Sequence, residues 1–221
     1  MIDILSFLGG GLCHQEVDRT FSVDMLNMPV CSRDTGIYLG IFISLITIIL
    51  LERRIKGEFP SLKIVLVTVG VFLVMGLDVV LSFVGIIESN NIIRFITGFF
   101  TGWFMVLLLL PLANNVMFKR FVRTNYLNKP VKFLTWLLCG AVAAATFILT
   151  YQYVLIFWSI VSILGVITFV MLILFILFFS LNRRLLGSID SVKKFIISLI
   201  FGMVSVIALL VLFSYLRQFL I

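Results

Sequence analysis

Apolar residues run along this chain in long blocks, separated by short polar or basic interruptions. Six blocks approach or exceed membrane-spanning length: 36–51, 62–87, 91–118 with Pro111 inside it, 133–150, 154–181 and 195–216. A helix needs about 20 apolar residues to cross a hydrocarbon core, and a barrel strand would alternate with a period of two. The blocks do not alternate, so the pattern predicts an all-α fold, a polytopic membrane helical bundle of about six transmembrane helices. Block 36–51 is short, and its helix is expected to start inside the polar segment before it. Residues 2–12 are apolar but too short to span. They end in Gly9-Gly10-Gly11 and read as an interfacial turn or a shallow re-entrant piece. They lack a basic start, which argues against a cleavable signal peptide. The chain thus divides into an N-terminal motif segment, 1–35, capping a transmembrane domain, 36–221.

Composition agrees with the pattern. Hydrophobic residues make up 62% of the 221 and charged residues 12%, where a soluble domain carries about 25% charged. The formal charge of +7 does not point to nucleic acid, because the basic residues sit between the apolar blocks. Arg53, Arg54, Lys56 and Lys63 follow the first block. Lys119, Arg120, Arg123, Lys129 and Lys132 follow the third, and Arg183, Arg184, Lys193 and Lys194 follow the fifth. By the positive-inside rule these three loops are cytoplasmic, both termini are extracytoplasmic, and membrane lipids are the first partners. Tyr151, Tyr153 and Trp158 then read as interfacial anchors, and Cys139 as a small core residue. No internal repeat is visible, so the pattern lends no support to an inverted-repeat transporter.

Ionisable residues inside apolar blocks are costly and mark a site or a buried pair. Asp78, Ser82, Gly85 and Ser89 share one helical face, with Asp78 roughly 13 Å below the outer end at 1.5 Å per residue. Asn91, Arg94, Gly98 and Thr101 share another, with Glu88 just before it. Gly98 and Gly102 have the GxxxG spacing of a packing face. Either the stripes only pack, with Asp78 and Arg94 neutralising each other, or Asp78, Glu88, Asn91 and Arg94 belong to a site in the outer half of the bundle.

That site has a natural partner in the polar segment 12–38. Cys13-His14 and Cys31-x-x-Asp34 supply thiolate, imidazole and carboxylate, the donor types zinc accepts in tetrahedral sites. The competing readings are a Cys13–Cys31 disulfide, closing a loop of about eighteen residues and contributing roughly 3 kcal/mol, or a histidine that only hydrogen-bonds at the interface. Arg19, Arg33 and Arg94 can converge on one phosphate or carboxylate. Alternatively they pair with Glu16, Asp18, Asp24 or Glu88.

At these residues the chain resembles a family of predicted prokaryotic membrane proteins known as domain of unknown function 2085. The resemblance lies in Cys13-His14-Gln15, Arg19-x-Phe21, Leu26-x-x-Pro29-Val30-Cys31-x-Arg33, Thr35-Gly36-Ile37-Tyr38-x-Gly40, Asp78, and Glu88-Ser89-x-Asn91-x-x-Arg94-x-x-Thr97-Gly98. It covers the first half of the chain. The family pattern reads Cys-x-Arg-Cys-Thr-Gly where this chain has Asp34 at the second cysteine. Aspartate can replace a thiolate as a metal ligand but not as half of a disulfide, which favours metal unless the bridge is Cys13–Cys31. The resemblance implies a place for the site and no activity.

Three functions follow as expectations. The first is a zinc-dependent membrane hydrolase of lipid or polyprenyl phosphates, with Cys13, His14, Cys31 and Asp34 on the metal. In it Asp78 or Glu88 is the general base, and Arg19, Arg33, Asn91 and Arg94 bind substrate. The second is a transporter or lipid flippase using Asp78 and Arg94. The third is a disulfide-stabilised scaffold.

Overall fold

The computed structural model describes residues 2–119, 121–181, 189 and 191–220. Of the basic loop residues named above, Arg120, Arg183 and Arg184 lie outside the described residues. Seven α-helices are described: α1 Ile2–Gly10, α2 Ser32–Leu51, α3 Leu62–Phe83, α4 Asn91–Met117, α5 Pro130–Thr150, α6 Leu155–Leu181 and α7 Val192–Leu220. Six of them, α2 to α7, are long and apolar enough to cross a membrane.

The boundaries depart from the apolar blocks where local chemistry decides them. α2 starts at Ser32, four residues before its block, because the Cys31 carbonyl already accepts the Thr35 N–H at 2.8 Å. α5 begins at Pro130, where a missing N–H costs nothing. Pro111 stays inside α4 without ending it. α3 stops at Phe83, short of residue 87, and the chain turns back through Gly85 at φ 77°, a left-handed conformation that favours glycine. Asp78 therefore stands five residues from its helix end, about 7.5 Å at 1.5 Å per residue, and is shallower than expected. Residues 2–10 form a true helix rather than a bend, packed on α6 and α7.

α2 is the centre of the bundle, with α4, α5 and α6 around it. Its contact with α4 is nearly backbone on backbone. A Cβ at Gly36 would strike the Phe95 carbonyl and one at Gly40 the Phe99 carbonyl. Conversely, one at Gly98 would strike the Arg33 carbonyl and one at Gly102 the Ile37 carbonyl. Two GxxxG faces are thus pressed together, a contact that only small residues permit. Beside it runs an aromatic column. Phe95 stacks on Phe147 at 4.1 Å, and Phe99 on Trp103 at 5.5 Å; Trp103 in turn meets Trp136 at 5.2 Å. The Ser44 hydroxyl accepts from Trp136 Nε1 at 3.1 Å and donates to the Trp103 carbonyl at 2.9 Å, locking α2, α4 and α5 together. α3 touches α4 on one side and leaves Thr68 as its one buried residue, as a helix facing lipid should.

Two expectations about single residues are corrected. Cys139 is exposed on α5, since the core side of that helix is taken by Trp136, Gly140, Ala144 and Phe147. Tyr151 and Trp158 are not simple interfacial anchors. Tyr151 packs on Phe21 at 4.8 Å, and Trp158 Nε1 donates to Thr150 Oγ1 at 3.0 Å. Tyr153 alone of the three is fully outward, 84% exposed.

Short strands organise the two ends. β1 Ser22–Val23 and β2 Leu26–Asn27 make a two-residue hairpin whose central residues, Asp24 and Met25, have φ 48° and 65°. Both positive values suit the right-handed twist of the strands. At the opposite end β3 Lys56–Glu58 pairs in parallel with β4 Val122–Asn125. Glu52 anchors that end: its side chain is 6% exposed and meets Lys56 and Lys132, each at 3.0 Å. Asn114 donates to the Lys56 carbonyl at 2.8 Å and to the Tyr126 hydroxyl at 2.9 Å, and Asn115 donates to the Gly57 carbonyl. Both asparagines are thereby committed to holding loops at this end.

Candidate metal site at the cap

The cap is a turn, a hairpin and a helix start folded over the ends of α2 and α4. Cys13 is brought in by the end of α1, where the Leu12 and Cys13 N–H groups both donate to the Gly9 carbonyl at 3.1 Å. Gln15, at φ 55°, reverses the chain. Its side-chain amide donates to the carbonyls of Ser6 at 2.6 Å and Pro29 at 2.7 Å, tying α1 to the strand that leads into α2. Ser32 Oγ donates to the Arg19 carbonyl at 2.8 Å. Asn91 Nδ2 reaches the carbonyls of Thr20 at 3.3 Å and Asp18 at 3.4 Å. The Nδ2 of Asn91, a side chain expected on substrate, is thus engaged in holding the cap to α4, while its Oδ1 is buried without a partner in the protein.

Cys31 is the residue before the first turn of α2 and Asp34 lies three further on, so both side chains leave the same side of the helix start. The Cys31 N–H donates to Cys13 Sγ at 3.1 Å, and Cys31 Sγ lies 3.2 Å from Asp34 Oδ2. One ligand atom each from Cys13, Cys31 and Asp34 lies within 4.8 Å of the others, so the three can hold a metal ion. On a tetrahedral zinc with bonds of about 2.0–2.3 Å, neighbouring donors stand roughly 3.3–3.8 Å apart, so the donor set fits with little movement. Both cysteines are free thiols. The interaction with the Cys13 thiol holds the Cys31 thiol below its usual range against the opposing effect of burial. The same interaction pushes Cys13 far above its own, with burial and the Asp34 charge adding to the rise.

His14 is not part of this trio. It is exposed, and its backbone carbonyl, not its ring, is engaged, accepting from Arg217 at 2.6 Å. Adjacent residues on this turn send their side chains different ways, so only Cys13 of the pair points at Cys31. His14 does line the cavity in front of the trio. This space of about 440 Å³ is also bordered by Arg19, Arg33 and Arg94 together with Cys13, Cys31 and Asp34. Arg19 keeps an exposed pair with Glu16 at 3.0 Å, while Arg94 has no carboxylate within ion-pair distance among the described residues.

Asp78 stands behind the cavity rather than in it. Its Oδ2 accepts from Arg33 Nη2 at 2.5 Å, with the two side chains 9% and 21% exposed. The pair is therefore Arg33–Asp78 and not Arg94–Asp78. A carboxylate held by a guanidinium is a poor proton acceptor. Arg33 Nε is buried with no partner in the protein. Glu88 is exposed on the α3–α4 loop and does not border the cavity.

Sequence reasoning missed one residue of the site. Arg217, near the end of α7, donates to the carbonyls of Cys13 at 2.6 Å, His14 at 2.6 Å and Gly10 at 3.1 Å. Nearby, Ser214 Oγ donates to the Phe7 carbonyl at 2.6 Å. The available signal was a lone arginine in the last turn of an otherwise apolar span.

A family model described as a predicted membrane protein, DUF2085, matches residues 13–109. An uncharacterized protein of Methanocaldococcus jannaschii is 30% identical over 110 residues, which are 50% of this chain and 69% of that one. Another, of Methanothermobacter thermautotrophicus, is 37% identical over 91 residues, 41% of this chain and 78% of the relative. No solved structure matches. The family match opens at Cys13 and closes within α4. It therefore takes in the cysteine–aspartate trio and the three arginines and leaves out Arg217.

Proposed function

The chain belongs to the DUF2085 family of predicted membrane proteins, and we propose that it is an outward-facing, zinc-dependent hydrolase of lipid or polyprenyl phosphates. The reading is carried by one observation: two thiols and a carboxylate meet at the wall of a cavity that three arginines also border. Cys13, Cys31 and Asp34 would hold the metal, and zinc bound there would supply a Lewis acid and acidify a water. Arg19, Arg33 and Arg94 take the phosphate oxygens and stabilise the charge that develops on them. Asp78 is a positioning residue that fixes the Arg33 fork from behind. His14, which the trio leaves uncoordinated at the cavity wall, is the proton acceptor in place of Asp78 or Glu88. The basic loops on the far side support, by the positive-inside rule, a reading in which the cap and both termini are extracytoplasmic.

Elemental analysis of detergent-purified protein tests the metal. About one zinc per chain is expected in the native protein, and far less in Asp34→Ala and Cys13→Ser, each of which removes one of three ligands. Arg94→Ala should keep its zinc while losing phosphate release from a polyprenyl phosphate. Metal-free protein with a reduction-sensitive Cys13–Cys31 bridge would replace this reading with the scaffold one. Proteoliposome uptake that survives Cys31→Ser would replace it with the transporter, although Phe95, Phe99 and Trp103, all fully buried deeper along α4, leave a polar path little room.

A further inference from the structure

The end of the bundle opposite the cap carries an unbalanced charge. Among the described residues, ten of the chain's 17 basic residues lie in or beside the loops 52–63, 119–132 and 191–194, against two of its 10 acidic ones, Glu52 and Glu58. Glu52 offers nothing outward, because one carboxylate oxygen meets both Lys56 and Lys132 and the other accepts the Leu127 N–H at 3.3 Å. Among the described residues, Arg53, Arg54 and Lys119 have no carboxylate within ion-pair distance.

Arg53 and Arg54 stand at the edge of a cavity of about 520 Å³ between α2, α4, α6 and α7. Its walls include Leu45, Ile48, Leu110, Leu172, Phe175 and Leu199. A second cavity, of about 740 Å³, shares Ile55, Phe118 and Phe195 with it and is bordered by Lys119. An apolar slot between spanning helices, with two unpaired guanidinium groups at the polar end, has the two-part chemistry of a phospholipid. The slot suits a hydrocarbon tail, and the arginine forks suit phosphate oxygens. Charge selects among lipids: a zwitterionic headgroup brings its own cation to a surface already rich in cations, whereas an anionic one does not.

We propose that this cavity is a binding site for an anionic phospholipid, with one acyl chain between α2, α4, α6 and α7 and the phosphate on Arg53 and Arg54. It is separate from the cap site and independent of the activity proposed there. Each arginine near a membrane surface favours an anionic lipid by about fivefold, so two give a preference on the order of 30-fold.

The test is native mass spectrometry of the full chain released from detergent micelles holding equal phosphatidylglycerol and phosphatidylcholine with the same acyl chains. Retained phosphatidylglycerol should exceed phosphatidylcholine by the order of 30-fold, and the ratio should fall to near one in the double variant Arg53→Gln, Arg54→Gln. Leu199→Trp fills the slot and leaves the arginines intact. It should lose the bound lipid, which keeps the proposal testable if the double variant does not fold. Inorganic phosphate, offered to lipid-free protein, should leave no adduct. Equal retention of the two lipids by the native chain overturns the proposal. So does an unchanged ratio in the double variant, undiminished lipid on Leu199→Trp, or a phosphate adduct of the same occupancy.

Discussion

Arg217→Met isolates what the last helix contributes to the cap. Methionine keeps an unbranched apolar stem along α7 and removes the guanidinium. What is lost is a cationic fork closing on three carbonyls of the turn that carries Cys13, two at 2.6 Å and one at 3.1 Å. Hydrogen bonds with a charged partner contribute about 1.5–3 kcal/mol each, and the lower figure suits a half-buried arginine. The two short bonds then stabilise the closed turn by about 3 kcal/mol, which is roughly a hundredfold in its opening equilibrium. The Leu12 and Cys13 amides both donate to the Gly9 carbonyl within this turn, so they report its opening directly. Amide exchange in detergent should speed up by about that factor at these two positions, while amides in the middle of α2 stay as slow as before. Zinc affinity, measured by competition with a chelator, should weaken in parallel, because an opened turn takes Cys13 out of the trio. Exchange at Leu12 and Cys13 within a few-fold of the native rate would show that the turn holds itself and that Arg217 is an onlooker.

Other substitutions probe the frame and the charges. Gly98→Ala sets a methyl against the Arg33 carbonyl, a backbone atom with nowhere to go, so both Tm and bound metal should fall; Gly70→Ala, with nothing within 4 Å, is the matched control that should lower neither. With zinc removed by chelation, Cys31 should be alkylated at a pH below the ordinary thiol range while Cys13 resists, since the interaction between them lowers the Cys31 pKa and raises that of Cys13; zinc should protect both, and peptide mapping distinguishes them. For Glu52, burial acts to raise the carboxyl's pKa, but Lys132 and Lys56 outweigh it and the folded value lies below the usual one. The stability it contributes is therefore present above the unfolded value of about 4.3 and is lost as pH falls through the folded value. Thermal melts should show this acid loss in the native protein and lack it in Glu52→Gln.

What could be read from the sequence was whatever depends on local pattern. Unbroken apolar blocks identify spanning helices whatever they pack against, and the paired glycines at 98 and 102 marked a close helix contact. The concentration of cysteine, aspartate and arginine in residues 13 to 34 marked the candidate site. The failures share a cause, which is that they turn on partners distant in the chain. Asp78 and Arg94 face the outer end of neighbouring helices, which makes their pairing one of two readings of the stripes, but Arg33 at the start of α2 reaches Asp78 first. His14 was grouped with Cys13 by adjacency, although neighbouring side chains on a turn diverge. Arg217 was passed over because its partners are backbone carbonyls 203 to 207 residues away, and carbonyls leave no mark in a sequence.

The geometry of α2 makes the site and the core hard to separate. On one side of its first turn Cys31 and Asp34 face Cys13; on another Arg33 reaches across to Asp78; one turn later Gly36 meets α4 with no side chain between the backbones. A shift of α2 along its axis by a fraction of an ångström would move a thiolate, a carboxylate and a guanidinium together, because all three hang from residues 31 to 34. The GxxxG contact fixes that axis, and the Trp103–Ser44–Trp136 bonds fix it again two turns deeper. A packing fault far below the cap is therefore expected to damage metal binding and anion binding in step. Damage confined to the cap, such as Asp34→Ala, should remove the metal and leave Arg33 on Asp78. Measuring zinc content and anion affinity on the same Gly102→Ala and Asp34→Ala variants distinguishes a site carried by α2 as one rigid unit from two sites that merely adjoin.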